Sequence, residues 1–201
     1  MHAGSIFGKS IPNERTNYER RFKVEKAIFL DRDGVINEVL SERVKFVNKP
    51  EDFYLLEGVG QAIKKFNRMN YLVFVVTNQG GIGLGYMREQ MLQEVHDKMK
   101  ADISIYDAKI NDIAYCPHKP NEGCACRKPE PAMIFHLAKK HQVDLTHSYM
   151  VGDRAPDIEA GKEAGTTTVL VGTRKEKSPA DLKFQDLLQF ADWLEDIQES
   201  S

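Results

Sequence analysis

The chain has 201 residues, 41% hydrophobic and 29% charged, with a formal net charge of −2 at pH 7. This suits one α/β domain with a core under a polar surface, and it shows no basic excess of the kind that marks a nucleic-acid partner. No run of about 18 apolar residues could span a bilayer, and Met1-His2-Ala3-Gly4-Ser5 lacks the apolar core of a secretory signal. A cytoplasmic, monomeric protein is expected.

Residues 1–23 have few apolar positions and no sustained period, and are expected to form a flexible extension outside the core. A single domain then runs over 24–201. Ala27-Ile28-Phe29-Leu30 predicts a buried parallel strand that ends at Asp31-Arg32-Asp33-Gly34. Apolar residues at Val59, Ala62, Ile63, Phe66 and Met69 predict a helix over Gly58 to Met69. A strand over Leu72 to Val76 follows and leads into Thr77-Asn78-Gln79-Gly80-Gly81. The next helix is expected from Arg88 to about Ile103, and a short strand at Ile113-Ala114-Tyr115. A helix over Pro131 to Lys140 places proline in its first turn, where it is tolerated. Tyr149-Met150-Val151 reads as a strand closed by Gly152-Asp153, then Ile158 to Ala164 as a helix stopped by Gly165. Thr167 to Val171 is the last predicted strand, and Leu187 to Ile197 an amphipathic terminal helix. This alternation predicts an open parallel sheet with helices on both faces.

A parallel sheet brings the polar groups that follow its strands to one edge, where such sheets bind ligands. The first strand supplies Asp31 and Asp33, and the second Thr77, Asn78 and Gln79. Arg127 and Lys128 follow a cysteine-rich loop, and Asp153 and Asp157 follow the fourth strand. A polar turn is the plain reading of Asp31 to Gly34, because Asp and Gly are common turn residues. Two close carboxylates nevertheless repel unless a cation or proton intervenes, so the pair points to a divalent metal, an acid–base pair, or both. Carboxylates with a phosphate suit Mg²⁺, Lys128 and Thr77 suit phosphoryl oxygens, and aspartate can act as a phosphoryl acceptor. The three cysteines, Cys116, Cys124 and Cys126, are too few and too clustered for a disulfide framework, which makes metal binding their leading explanation.

Asp31-Arg32-Asp33-Gly34, Thr77-Asn78-Gln79, Arg127-Lys128-Pro129 and Val151-Gly152-Asp153 with Asp157 resemble, in order, the four motifs of the haloacid dehalogenase superfamily of phosphatases. Cys116-Pro117-His118 and Cys124-Ala125-Cys126-Arg127-Lys128-Pro129 are similar to a segment shared by two of its branches. These are the D-glycero-D-manno-heptose 1,7-bisphosphate phosphatases and the histidinol-phosphate phosphatases. The resemblance implies a Rossmann-like fold without a large cap domain, and Mg²⁺-dependent hydrolysis of a small phosphorylated substrate through an aspartyl-phosphate. It implies Asp31 as nucleophile and Asp33 as acid and base. Mg²⁺ would be held by Asp31, the Asp33 carbonyl and Asp153, with Asp157 orienting the groups behind them. Arg32, Gly34, Thr77, Asn78, Gln79, Arg127, Lys128 and Arg154 would bind substrate or its phosphate. The 7-phosphate of the heptose bisphosphate is the leading substrate, and histidinol phosphate or another small phosphomonoester the alternative. A zinc-stabilised binding module without catalysis is the distant third reading.

Three thiolates and one imidazole, from Cys116, His118, Cys124 and Cys126, complete a closed tetrahedral zinc site, although the spacing is tighter than in common fingers. Such a zinc loop over 116–126 would be structural and would fix Arg127 and Lys128. Three free cysteines are the alternative. Ser41-Glu42-Arg43-Val44 departs from the His-Gly-Tyr segment common in the heptose branch. Asn37 to Asn48 is expected to help read the substrate, with Arg43 a candidate for a second phosphate. His96, His136, His141 and His147 are expected in surface or partly buried structural roles.

Overall fold

A computed structural model describes residues 24–172 and 178–200; the expected N-terminal extension lies outside the described residues. The strands are β1 (Lys26–Leu30), β2 (Tyr71–Asn78), β3 (Asp112–Cys116), β4 (Tyr149–Gly152), β5 (Thr167–Val171) and β6 (Leu182–Phe184). The helices are α1 (Val59–Arg68), α2 (Glu89–Ser104), α3 (Ala132–His141), α4 (Ala155–Ala164) and α5 (Leu187–Glu199). All strand pairs are parallel, in the order β3-β2-β1-β4-β5-β6. Among the described residues no helix is long and apolar enough to cross a membrane.

Strand alternation divides the core between the two faces. Ile28, Leu30, Val73 and Val75 pack with Ile63 and Phe66 of α1, Val95, Met99 and Ile103 of α2, and Phe190 and Leu194 of α5. Ala27, Phe29, Phe74 and Val76 face the other way, onto Ile134 and Leu137 of α3 and Ala160 and Ala164 of α4. A β-strand buried on both faces has no room for polar positions, which is why β1 and β2 read as continuous apolar runs.

Two elements differ from the sequence reading. β6 is an additional parallel edge strand, with Leu182 in register with Val169; three residues with an exposed lysine carry too little pattern to predict. Helix α4 begins at Ala155, three residues before the expected start. Pro156 suits its first turn, and the Asp157 carboxylate accepts the Arg154 N–H at 3.1 Å as a cap.

Candidate active site

The switch in strand order falls at β1, which lies between β2 and β4. The Asp31 N–H donates to the Val151 carbonyl at 2.9 Å, continuing the ladder by one residue past the strand. Asp31 is thereby placed beside the β4 end that carries Asp153. Gly34 turns the chain away at φ +94°, and a Cβ built there would lie 2.4 Å from Asp153 Oδ2. Glycine is needed here for both the positive φ and the close approach of the carboxylate.

Lys128 is 4% exposed, and its ammonium donates to Asp31 Oδ1 at 2.7 Å, Asp157 Oδ1 at 2.6 Å and the Val76 carbonyl at 2.7 Å. Asn78 fastens the Lys128 backbone from β2. Its Nδ2 donates to the Lys128 carbonyl, and the Lys128 N–H donates to its Oδ1, both at 3.0 Å. Asp157 is occupied on both sides, by Lys128 on Oδ1 and by the Arg154 backbone on Oδ2.

Asp31, Asp153 and Asp157 offer carboxylate oxygens that all lie within 4.8 Å of one another. Three buried carboxylates lie together with one buried ammonium, which contacts Asp31 and Asp157, and the balance is negative. Burial pushes the Asp31 carboxyl up to about 7; Lys128 opposes the shift, and Asp157 and Asp33 reinforce it. This set of hard oxygen donors fits a divalent cation, which would restore the charge balance and lower that pKa.

Asp33 receives five hydrogen bonds. Arg32 Nε and Nη2 and Asn37 Nδ2 donate to Oδ1 at 3.2, 2.9 and 2.9 Å. Arg32 Nη2 and Gln79 Nε2 donate to Oδ2 at 2.9 and 3.0 Å. Burial acts to raise the Asp33 carboxyl, but the Arg32 guanidinium and the Asn37 and Gln79 amides outweigh it and hold it below the ordinary carboxylate range. Gln79 Nε2 also donates to Thr77 Oγ1 at 2.8 Å, so the hydroxyl's own proton is left to donate elsewhere.

Several expected site residues are placed differently from a simple row of ligand contacts. Arg32 turns inward: its side chain is 1% exposed and its guanidinium clamps Asp33. Asn78 and Gln79 grip Lys128, Asp33 and Thr77. Arg127 Nη1 donates to the His118 carbonyl at 3.1 Å. Arg154 is at the rim, its Nε 3.8 Å from Asp153 Oδ2. Arg43 pairs with Glu38 and stacks over the Tyr54 ring at 3.9 Å. Asn37, fully buried, was legible only as the start of a loop. A cleft of about 650 Å³ opens beside Gly34 and Asp153, between the Glu38–Ser41 segment and Leu187–Leu188.

The cysteine loop brings its four candidate ligands together. Cys116 Sγ lies 3.6 Å from Cys124 Sγ and 3.0 Å from Cys126 Sγ, and Cys124 Sγ lies 3.7 Å from Cys126 Sγ. His118 Nδ1 is 3.5 Å from Cys116 Sγ and 3.2 Å from Cys126 Sγ. Sulfurs about 2.3 Å from a shared tetrahedral zinc lie about 3.8 Å apart, so the donor set fits such an ion with slight expansion.

Known proteins resemble this chain in sequence and fold. A family model described as HAD-hydrolase-like matches residues 125–199. The D-glycero-alpha-D-manno-heptose-1,7-bisphosphate 7-phosphatase of Campylobacter jejuni is 36% identical over 172 residues, covering 85% of this chain and 96% of that protein. The D-glycero-beta-D-manno-heptose-1,7-bisphosphate 7-phosphatase of Haemophilus ducreyi is 38% identical over 172 residues, covering 82% and 92%. The crystal structure of the D,D-heptose 1,7-bisphosphate phosphatase from B. bronchiseptica, complexed with magnesium and phosphate, superposes with a TM-score of 0.75 at 34% identity. It covers 87% of this chain and 99% of that one. With relatives this similar along nearly their whole length, the chain belongs to the HAD-like hydrolases, in the family of heptose-1,7-bisphosphate 7-phosphatases.

Proposed function

We propose that this chain removes the 7-phosphate of a D-glycero-D-manno-heptose 1,7-bisphosphate through an aspartyl-phosphate on Asp31. The observation that carries this reading is Lys128, whose buried ammonium joins Asp31 to Asp157 at the sheet edge while Asp33 is caged two residues away. Asp31 attacks phosphorus, and the bond to the sugar oxygen breaks as the new one forms. Lys128 and the free proton of Thr77 bind the transferring phosphoryl oxygens. Asp33 gives a proton to the departing oxygen and later takes one from the water that hydrolyses the acyl-phosphate. The negative phosphoryl group arriving beside Asp33 raises its pKa and so equips it for the acid half of the cycle.

Asp31, the Asp33 carbonyl and Asp153 would hold Mg²⁺, and Asp157 keeps Lys128 in line. When bound, that cation supplies positive charge against the phosphoryl oxygens. Cys116, His118, Cys124 and Cys126 would hold a structural zinc, fixing the segment that delivers Arg127 and Lys128. Arg127 and the Asn37 to Asn48 loop are assigned to the sugar and its second phosphate.

A phosphate-release panel tests the reading: both anomers of the heptose bisphosphate and histidinol phosphate, each with and without Mg²⁺. Release from the bisphosphate that requires Mg²⁺ is expected. Faster release from histidinol phosphate would overturn the substrate, and no release from any compound would overturn the activity. Metal analysis of chain purified without chelator should find one zinc per molecule.

A further inference from the structure

Three buried polar atoms on residues in or near the Asp33 cage have no hydrogen-bond partner among the described residues. They are Arg32 Nη1, Asn37 Oδ1 and His96 Nε2. Two of them belong to the cage itself. Arg32 uses Nε and Nη2 on Asp33, leaving Nη1 as a donor. Asn37 uses its Nδ2 on Asp33 Oδ1 and the Glu38 carbonyl, which fixes the amide and leaves Oδ1 as an acceptor.

The third atom belongs to a residue that the fold places on the same face of the sheet. Ile28, Leu30, Val73, Val75 and Ile113 all face the layer that holds α1, α2 and α5. By alternation, the chain positions of Arg32, Thr77 and Tyr115 continue that face at the carboxyl end of the sheet. His96 on α2 is 2% exposed, and its ring lies 5.9 Å from the Tyr115 ring, opposite Thr77 in the β2–β3 register. Burial, with the Arg32 and Lys100 cations adding to it, lowers the His96 pKa to about 3, and Asp33 acts weakly in the opposite sense. His96 is therefore a neutral imidazole within electrostatic reach of Arg32 and Asp33.

We propose that His96 is a positioning residue for Asp33, joined to Arg32 and Asn37 by one buried water molecule. One donor and two acceptors are what such a water needs. It accepts from Arg32 Nη1 and donates to Asn37 Oδ1 and His96 Nε2, completing the roughly three bonds that buried waters make. A buried polar group left unmade is costly, so the three atoms share one solution. The link sets the angle of the guanidinium and the amide, and through them the direction in which Asp33 faces the leaving oxygen.

This inference rests on the phosphatase reading for its kinetic test and on geometry alone for its structural one. Two variants are compared with the parent chain, His96→Leu, which removes the acceptor, and His96→Gln, which retains one. For each, kcat/KM is measured with a sugar phosphate and with p-nitrophenyl phosphate, whose leaving group departs with little help from an acid. Because kcat/KM reports steps only up to departure of the leaving group, later hydrolysis does not blur the comparison. His96→Leu should lower the sugar-phosphate value by about tenfold or more while leaving the p-nitrophenyl phosphate value within about threefold, and His96→Gln should recover most of the loss. An equal fall on both substrates, no fall, or no recovery with Gln overturns the positioning role. A crystal structure of the unsubstituted chain gives the independent result: ordered density within about 3.2 Å of all three atoms is expected, and its absence overturns the water. A parent chain that hydrolyses neither substrate sinks the phosphatase reading, and the density still decides the link.

Discussion

Replacing Asn78 with alanine tests how the site's cation is held in place without touching any charged group. Asn78 makes two hydrogen bonds of 3.0 Å to the backbone of Lys128, 50 residues away. At about 1 kcal/mol net for each, the substitution should cost about 2 kcal/mol, lowering the unfolding midpoint of a chain this size by about 6 °C. The kinetic effect should be larger than the structural one suggests. Lys128 reaches Asp31 and Asp157 from a backbone that would then lack its clip, and a displacement of about 1 Å can cost about 10²-fold in rate. Thermal unfolding by circular dichroism and phosphate release are read on the same preparation. Asn78→Asp keeps an acceptor for the Lys128 N–H but turns an oxygen toward its carbonyl, so it should behave no better than alanine. Parent-like melting with parent-like turnover would refute the clip. Lower melting with full turnover would show that the two aspartates alone hold Lys128.

Lys128→Met should reduce turnover by at least about 10³-fold, and Lys128→Arg should fail to restore it, because the buried pocket is fitted to an ammonium with three acceptors. Full activity in the arginine variant would contradict that fit. Cys126→Ser should release zinc and lower the unfolding midpoint, with turnover falling in step because Lys128 follows two residues later; zinc analysis beside calorimetry checks it. Asp112 on β3 gives a pH prediction. Burial acts to raise its carboxyl, but hydrogen bonds from His141 and Lys140 outweigh this and hold it at about 2. Its folded pKa lies below the unfolded value of about 3.9, so its contribution is present above about pH 4 and is lost as pH falls from about 4 to 2. Asp112→Asn should therefore destabilise the fold at pH 7 by about 1 kcal/mol, a figure discounted for the exposed Lys140. Denaturant titrations should show the gap closing with acid, and a gap independent of pH would rule this pairing out.

The sheet was readable because β1 and β2 are buried on both faces and helices α1 and α2 on one, so their apolar patterns carry the whole placement. β6 escaped because an edge strand of three residues needs no such pattern. At the site, the charged groups announced themselves by type and order, and Asp31, Asp153 and Lys128 do converge. Their supporting contacts did not announce themselves. That Arg32 turns inward onto Asp33, that Asn37 stands beside it, and that His96 is interior and neutral all depend on which helix covers the sheet. Local spacing holds no record of that.

The place of β1 in the sheet also governs when the site can exist. The strand carrying Asp31 is made early, yet one of its two neighbours is β4; the Ala27 N–H finds its Ser148 hydroxyl 121 residues further on. At ribosomal rates of roughly 5–20 residues per second, about ten seconds separate the two strands. Until then β1 has an unpaired edge of Ile28, Phe29 and Leu30, and Asp31 has no Asp153 beside it. A nascent chain that ends before β4 (Tyr149–Gly152) therefore has an incomplete site and an adhesive edge, and its early protection falls to whatever shields apolar strands during synthesis.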